Sequence, residues 1–118
     1  MLNSEVMSIE WAMFRGMFRL LILSLLEKSM MRGYQILKAI RTLTGRKPSM
    51  STIHDILSEL ECKKLIKSIT TQTSEKYYQI TDIGRKALSQ VRARCRARVI
   101  DILNLIFEIQ NNKVKLNR

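Results

Sequence analysis

The stretch SMSTIHDILSELECKKLIKSITTQTSEKYYQITDIG, residues 49–84, changes its hydrophobic period once, and that change organises the whole chain. In its first part Ile53, Ile56, Leu57 and Leu60 recur at i, i+3, i+4 and i+7, the spacing of one face of an α-helix. Ser51, His54, Asp55, Ser58 and Cys62 then point away from that face. Pro48 breaks the preceding pattern, and Ser49 or Ser51 offers the side-chain oxygen that caps a new helix. After Lys63 and Lys64 the period becomes two. Leu65, Lys67 and Ile69 alternate with their neighbours, a polar tip runs from Thr71 to Ser74, and Lys76 to Ile80 completes a β-hairpin. Thr81 to Gly84 then caps a further helix.

Upstream of this stretch, Phe14, Met17, Phe18, Leu21, Ile22, Leu25 and Leu26 form an amphipathic stripe that predicts a buried first helix. Ser4 and Ser8 are candidate caps for a preceding turn or helix. A polar break from Glu27 to Arg32 ends at Gly33, and Tyr34, Ile36, Leu37 and Ile40 predict a shorter second helix closing before Gly45. Downstream, Leu88, Cys95, Val99, Ile102, Ile106 and Ile109 take a and d positions of a heptad, with Arg92 at an a position. The predicted helix runs from about Ile83 to Gln110, and one helix cannot bury such a seam within a small domain. A second copy of the chain is the expected cover, and the tail from Asn111 to Arg118 reads as frayed and basic.

At 118 residues the chain has room for one core, and 46% hydrophobic with 26% charged residues excludes a disordered or low-complexity segment. The net charge of +11 favours a polyanionic partner. Its distribution is uneven: residues 1–29 hold 3 cations against 3 acids, residues 30–81 hold 9 against 4, and residues 82–118 hold 9 against 3. The most apolar run, Leu20 to Leu26, is far shorter than the roughly 20 residues of a spanning helix, and Arg15, Arg19 and Lys28 flank it. No membrane span and no leader pattern is read, so a cytoplasmic location is expected. Two cysteines, Cys62 and Cys95, and a single histidine are too few for a structural zinc site. Reduced cysteines are expected, a disulfide within or between chains being the alternative. No nucleophile–base set, no phosphate-cradling glycine loop and no paired carboxylates suggest catalysis, so no enzyme, metal or cofactor is expected.

The element order of three helices, a two-stranded hairpin and a long helix is that of a winged helix-turn-helix: mainly α, with a small β-hairpin wing and a long C-terminal dimerisation helix. The expected division is a DNA-binding domain over residues 1–81, including an N-terminal helical extension, and a dimerisation helix with basic tail over 82–118. Several blocks stand in matching order and spacing: Arg15-Gly16, Ile22 to Leu26, Gly33 to Lys38, Ser49 to Ile53, Leu57 to Glu61, Lys76 to Arg85 and Ala87-Leu88. In them the chain resembles the PadR-like family of transcriptional regulators over about residues 15–88. The resemblance implies a homodimer that sets one recognition helix per subunit in the major groove of a palindromic operator, usually as a repressor. Family members are often released by small aromatic or cationic effectors or by stress signals. The chain departs from the family pattern at Ser51, where glycine is usual, at His54 and Asp55, where tyrosine and proline are more frequent, and at Glu75, where the wing is usually basic.

In that frame the third helix is the reader of double-stranded DNA. Ser49, Ser51 and Thr52 bring hydroxyls and backbone N–H groups suited to a phosphate. His54 can donate to a purine N7 or a phosphate, Asp55 can accept from cytosine N4, and Ser58 can do either. Asp55 can instead pair with Lys63 or another basic neighbour, and the whole row can also be an ordinary solvated face. Arg32, Tyr34, Lys38, Arg41, Arg46 and Lys47 around the turn, with Lys67, Thr73 and Lys76 on the wing, are candidate backbone contacts. Arg92 in the seam calls for a partner such as Glu5 or Glu10 of the other subunit. Trp11 with Met7, Met13 and Met17 can line an effector pocket, or simply belong to the core; no effector is named by these residues. Two rival readings keep the same fold: a protein-interaction module that no longer reads an operator, and an architectural protein that coats DNA without regard to sequence.

Overall fold

The computed structural model describes residues 2–109 and divides the chain into two compact units, Met1–Leu88 and Ser89–Arg118. The first unit contains helix α1 (Leu2–Lys28), strand β1 (Met31–Arg32), helices α2 (Gly33–Thr44) and α3 (Met50–Cys62), strands β2 (Ile66–Thr70) and β3 (Lys76–Ile80), and the opening turns of α4 (Asp82–Ile106).

Helix α3 forms because Ser49 caps it: the Ser49 hydroxyl accepts from the Thr52 amide at 3.1 Å, satisfying one of the donors a helix start leaves open. Ile53, Ile56, Leu57 and Leu60 are buried, as their spacing predicts. They meet Phe18, Ile22, Leu23 and Leu26 of α1, Ile36, Leu37 and Ile40 of α2, and Ile66, Tyr78 and Ile80 of the sheet in one core. Helix α2 stops at Gly45, whose left-handed φ of 68° lets its amide donate to the Arg41 carbonyl at 2.9 Å. Tyr34, expected in the buried stripe of α2, is 60% exposed instead. It stands at the second position of the helix, ahead of the buried row.

Two elements differ from the sequence expectation. Helix α1 begins at Leu2 and runs unbroken for 27 residues, so Ser4 and Ser8 lie inside it rather than at a cap. Over residues 2–9 it shows no core-facing stripe: Leu2, Val6, Met7 and Ile9 are all exposed, and without a buried face there is no periodicity to read. The polar break ends in a strand: Met31 pairs with Tyr78 and Arg32 with Tyr77, adding an antiparallel edge to the hairpin in the order β1-β3-β2. Two residues have no period, and only the non-local pairing makes them a strand. In the hairpin itself the buried side chain of β2 is Ile66, whereas Ile69 is 38% exposed.

The sheet is tied to α4 at one point. Thr81 donates its hydroxyl to the Lys64 carbonyl at 2.7 Å and to the Leu65 carbonyl at 3.0 Å, and the same oxygen accepts from the Gly84 amide at 3.0 Å. Leu88, expected on an intersubunit seam, is 1% exposed and belongs to the core of its own chain.

In the second unit α4 continues to Ile106, with Cys95, Val99, Ile102 and Ile106 exposed. The helix ends short of the predicted limit. Phe107 and Glu108 form a turn, Glu108 has a φ of 53°, and the Ile109 amide donates to the Asn104 carbonyl at 3.0 Å, so Ile109 is not a helical seam position. Gln110 and the tail from Asn111 to Arg118 lie outside the described residues.

Gly84 is the tightest position of the first unit, since a Cβ there would overlap the Leu65 carbonyl oxygen and approach Ile80 Cγ1 at 2.7 Å. Gly84→Ala is therefore expected to lower stability by about 3 kcal/mol, the upper range of overpacking costs. Urea unfolding followed by circular dichroism checks this.

Candidate nucleic-acid interface

Burying one face of α3 leaves its opposite face to solvent. Ser51, His54, Asp55 and Ser58 are all exposed, and their i, i+3, i+4, i+7 spacing puts them in a single row. Ser49 and Thr52, both candidate phosphate contacts, also hold the start of the helix. Ser49 Oγ and Thr52 Oγ1 lie 3.0 Å apart and both serve the cap. The helix start is thus pre-formed, with Ser51 the hydroxyl left facing outward.

Helix α2 reaches α3 closely at Gly33. A Cβ there would sit 3.1 Å from Met50 Cε, 3.8 Å from a Tyr78 ring carbon and 4.0 Å from His54 Cε1. The absent side chain lets the start of α2, helix α3 and strand β3 converge on one point. Arg32, one residue earlier, is held by strand pairing and by its amide, which donates to the Gln35 carboxamide at 2.8 Å.

Helix α1 supplies a contact that sequence reading missed. Arg19 grips Glu59 of α3 with two charge-assisted hydrogen bonds, Nε to Oε2 at 2.7 Å and Nη2 to Oε1 at 2.6 Å. Lys63 reaches the same carboxylate at 3.3 Å. The hydrogen bonds from Arg19, with help from Lys63, hold the Glu59 carboxyl well below its ordinary value, to about 2, and the Arg19 guanidinium is raised in turn. The partners stand 40 residues apart, so no local pattern announces them. Lys63 being engaged by Glu59, the alternative pairing of Asp55 with Lys63 is not realised. Asp55 instead lines a small polar cleft of about 100 Å³ with Arg15, Arg19, Thr52, Ile56 and Glu59.

The candidate backbone contacts separate into two groups. Lys38, Lys47, Lys67, Thr73 and Lys76 are exposed. Lys38 Nζ stands 5.7 Å over the Tyr34 ring and Lys76 Nζ 5.3 Å over that of Tyr78, so aromatic faces steady both cations. The arginines are committed within the chain. Arg46 pairs with Glu10 at 3.0 Å and stacks 5.6 Å over Phe14, Arg41 donates to the Pro48 carbonyl at 3.1 Å, and Arg32 pairs with Glu75 at 3.2 Å. Glu10 thus meets Arg46 of its own chain. On the wing, Lys76 faces Thr70 beside the tip, whereas Lys67 faces Gln79 nearer the base. The two lysines do not flank the tip together.

An open groove of about 390 Å³ is lined by Met7, Trp11, Gly45, Arg46 and Lys47, without Met13 or Met17. Trp11 also packs edge-to-face on Phe18, with ring centroids 5.9 Å apart. Cys62 and Cys95 are both free and exposed. Among the described residues no group of histidine, cysteine and acidic side chains could hold a metal ion, and no helix is long and apolar enough to cross a membrane.

The capped helix α3, a preceding helix packed on it, a three-stranded wing and a long C-terminal helix define a winged helix-turn-helix protein. The chain belongs to the transcriptional regulator PadR-like family, whose family model matches residues 22–90. Among solved structures it is similar to a transcriptional regulator from Clostridium thermocellum, with 29% identity, a TM-score of 0.66, and 85% of this chain and 96% of that one covered. A PadR family regulator from Clostridium difficile is 28% identical with a TM-score of 0.65, over 77% of this chain and 98% of that one. Bacillus subtilis PadR, solved in complex with operator DNA, is 28% identical with a TM-score of 0.54, over 61% of this chain and 43% of that one. Among curated proteins no sequence matches the chain.

The Arg19–Glu59 clamp predicts a defined acid response. A carboxyl whose pKa is depressed on folding stabilises fully above its ordinary value of 4.5 and loses that contribution as pH falls towards about 2. Urea midpoints of the wild type and Glu59→Gln should differ by a constant amount above that range, with the wild type the more stable, and converge as pH drops through it.

Proposed function

We propose that this PadR-family regulator acts as a homodimer that reads a palindromic operator with α3, and that it works in the cytoplasm as a repressor, occupying DNA that transcription would otherwise use. The observation that carries the reading is the exposed row Ser51, His54, Asp55 and Ser58 on a rigid, capped helix whose other face is core. Small side chains at 51 and 58 allow close approach to base edges. His54 donates to a purine N7, and Asp55 accepts from a cytosine N4 amino group, the one base-edge contact that repays bringing a carboxylate near phosphates.

Around this row Lys38, Lys47 and Lys76, with Tyr34, neutralise or bond phosphates and set the register without reading sequence. The operator-bound state of the Bacillus subtilis relative supports a duplex as the ligand. Residues 1–81 bind DNA and residues 82–118 join two copies, with half-sites about one turn, roughly 34–36 Å, apart. Since Leu88 lies in its own chain's core, the joining surface is the exposed Val99, Ile102 and Ile106.

Selection from a random duplex library at about 50 and 200 mM salt tests the reading, because phosphate-driven affinity collapses over that range while base readout persists. A palindromic motif enriched at the higher salt is the expected result, and substituting Ser51, His54 or Ser58 by alanine should relax it. Recovery of unselected sequence that is lost at the higher salt would replace operator reading with indiscriminate coating.

The dimer is tested by Ile102→Glu. The wild type should sediment as a dimer and the variant as a monomer, with operator affinity reduced about a hundredfold as two linked half-site contacts become one.

A further inference from the structure

We propose that Glu75 is an intramolecular stand-in for a DNA phosphate, holding Arg32 in the free protein and so lowering affinity for every duplex alike. The inference rests on the DNA-binding reading above. Strand β1 and the Gln35 contact fix Arg32 immediately before Gly33, beside Met50 and His54 of the reading helix. That is where a phosphate-binding cation is wanted, next to the helix that enters the groove.

Glu75 is placed just as firmly. Its amide accepts no freedom from the wing tip: it donates to Thr71 Oγ1 at 3.1 Å, and its carbonyl accepts from the Thr71 amide at 2.8 Å, closing a turn in which Ser74 takes a φ of 66°. From there the carboxylate meets Arg32 Nη1 at 3.2 Å and accepts from the Tyr77 hydroxyl at 3.4 Å.

The pair is built to exchange. Only one guanidinium nitrogen engages, at 3.2 Å, and both side chains are nearly half exposed, in contrast to the two-pronged Arg19–Glu59 contact at 2.6 and 2.7 Å. Arg32 Nε is buried without an acceptor, so a fork-shaped donor is using one prong. A phosphate offers the same charge and more oxygens than a single carboxylate contact supplies. When a duplex arrives, Arg32 must leave Glu75 before it can meet a phosphate, a cost that does not depend on base sequence. In a chain of net charge +11, a counter-charge at the wing weakens indiscriminate binding while leaving the base contacts of α3 untouched.

The test measures binding of a fluorescent random-sequence duplex of about 30 base pairs, long enough for two half-sites, to the full chain carrying Glu75→Gln, Arg32→Gln or both. Glu75→Gln should bind about three- to tenfold tighter at about 50 mM salt, with a salt slope steeper by about one, as for one added phosphate contact. Arg32→Gln alone should change affinity less than about twofold, and adding it to Glu75→Gln should abolish the gain. Equal or weaker binding by Glu75→Gln overturns the proposal, and so does a gain that survives in the double variant. If neither the wild type nor Glu75→Gln binds any duplex, the DNA reading itself fails and the proposal with it. Thermal midpoints verify folding, and Glu75→Ser repeats the comparison should glutamine disturb the turn.

Discussion

Burial of Ile53, Ile56, Leu57 and Leu60 against α1, α2 and the sheet is the constraint from which the rest follows. A helix committed to the core on one side has its rotation about its own axis settled, so its opposite row is chosen without further interaction. Ser51, His54, Asp55 and Ser58 face outward because four aliphatic side chains face inward. The Ser49 cap sets where the helix begins, and the Arg19–Glu59 clamp ties its outer flank to α1. Rotation, start and flank together fix the geometry of the exposed row before any ligand arrives.

The charge of the molecule is less available than its total suggests. Arg32, Arg41 and Arg46, three cations bracketing the turn before α3, are engaged by Glu75, the Pro48 carbonyl and Glu10. Arg41 and Arg46 brace the turn before α3, while Lys38, Lys47, Lys67 and Lys76, with their flexible stems and compact charges, remain at the surface. Among these candidate contacts the two cation types divide: the guanidinium groups of Arg32, Arg41 and Arg46 find carboxylates and a carbonyl in fixed positions, and the ammonium groups of Lys38 and Lys76 settle over tyrosine rings.

The parts of the fold legible in the sequence are those whose signal is local. The stripe of α3, its cap, the closure of α2 at Gly45 and the period-two hairpin each lie within a window of fifteen residues, and the ordered blocks from Arg15 to Leu88 carried the family. The parts that were not legible are those where residues distant in the chain meet. Strand β1 is two residues that become a strand only opposite Tyr77 and Tyr78. Residues 2–9 of α1 have no buried face, so nothing in their pattern separated helix from loop. Leu88 and Ile109 both fit a heptad, but one is drawn into its own core and the other follows a turn that ends the helix.

Amino-acid order by itself determined the class of protein, helix α3 and the row it exposes, because hydrophobic period and capping chemistry act over neighbouring residues. Tertiary structure alone decided which of the candidate cations are free. Whether Arg32 or Arg46 is available depends on a carboxylate 43 or 36 positions away being brought within about 3 Å, and the pairing energy of two charges is a function of distance in space, not of separation along the chain.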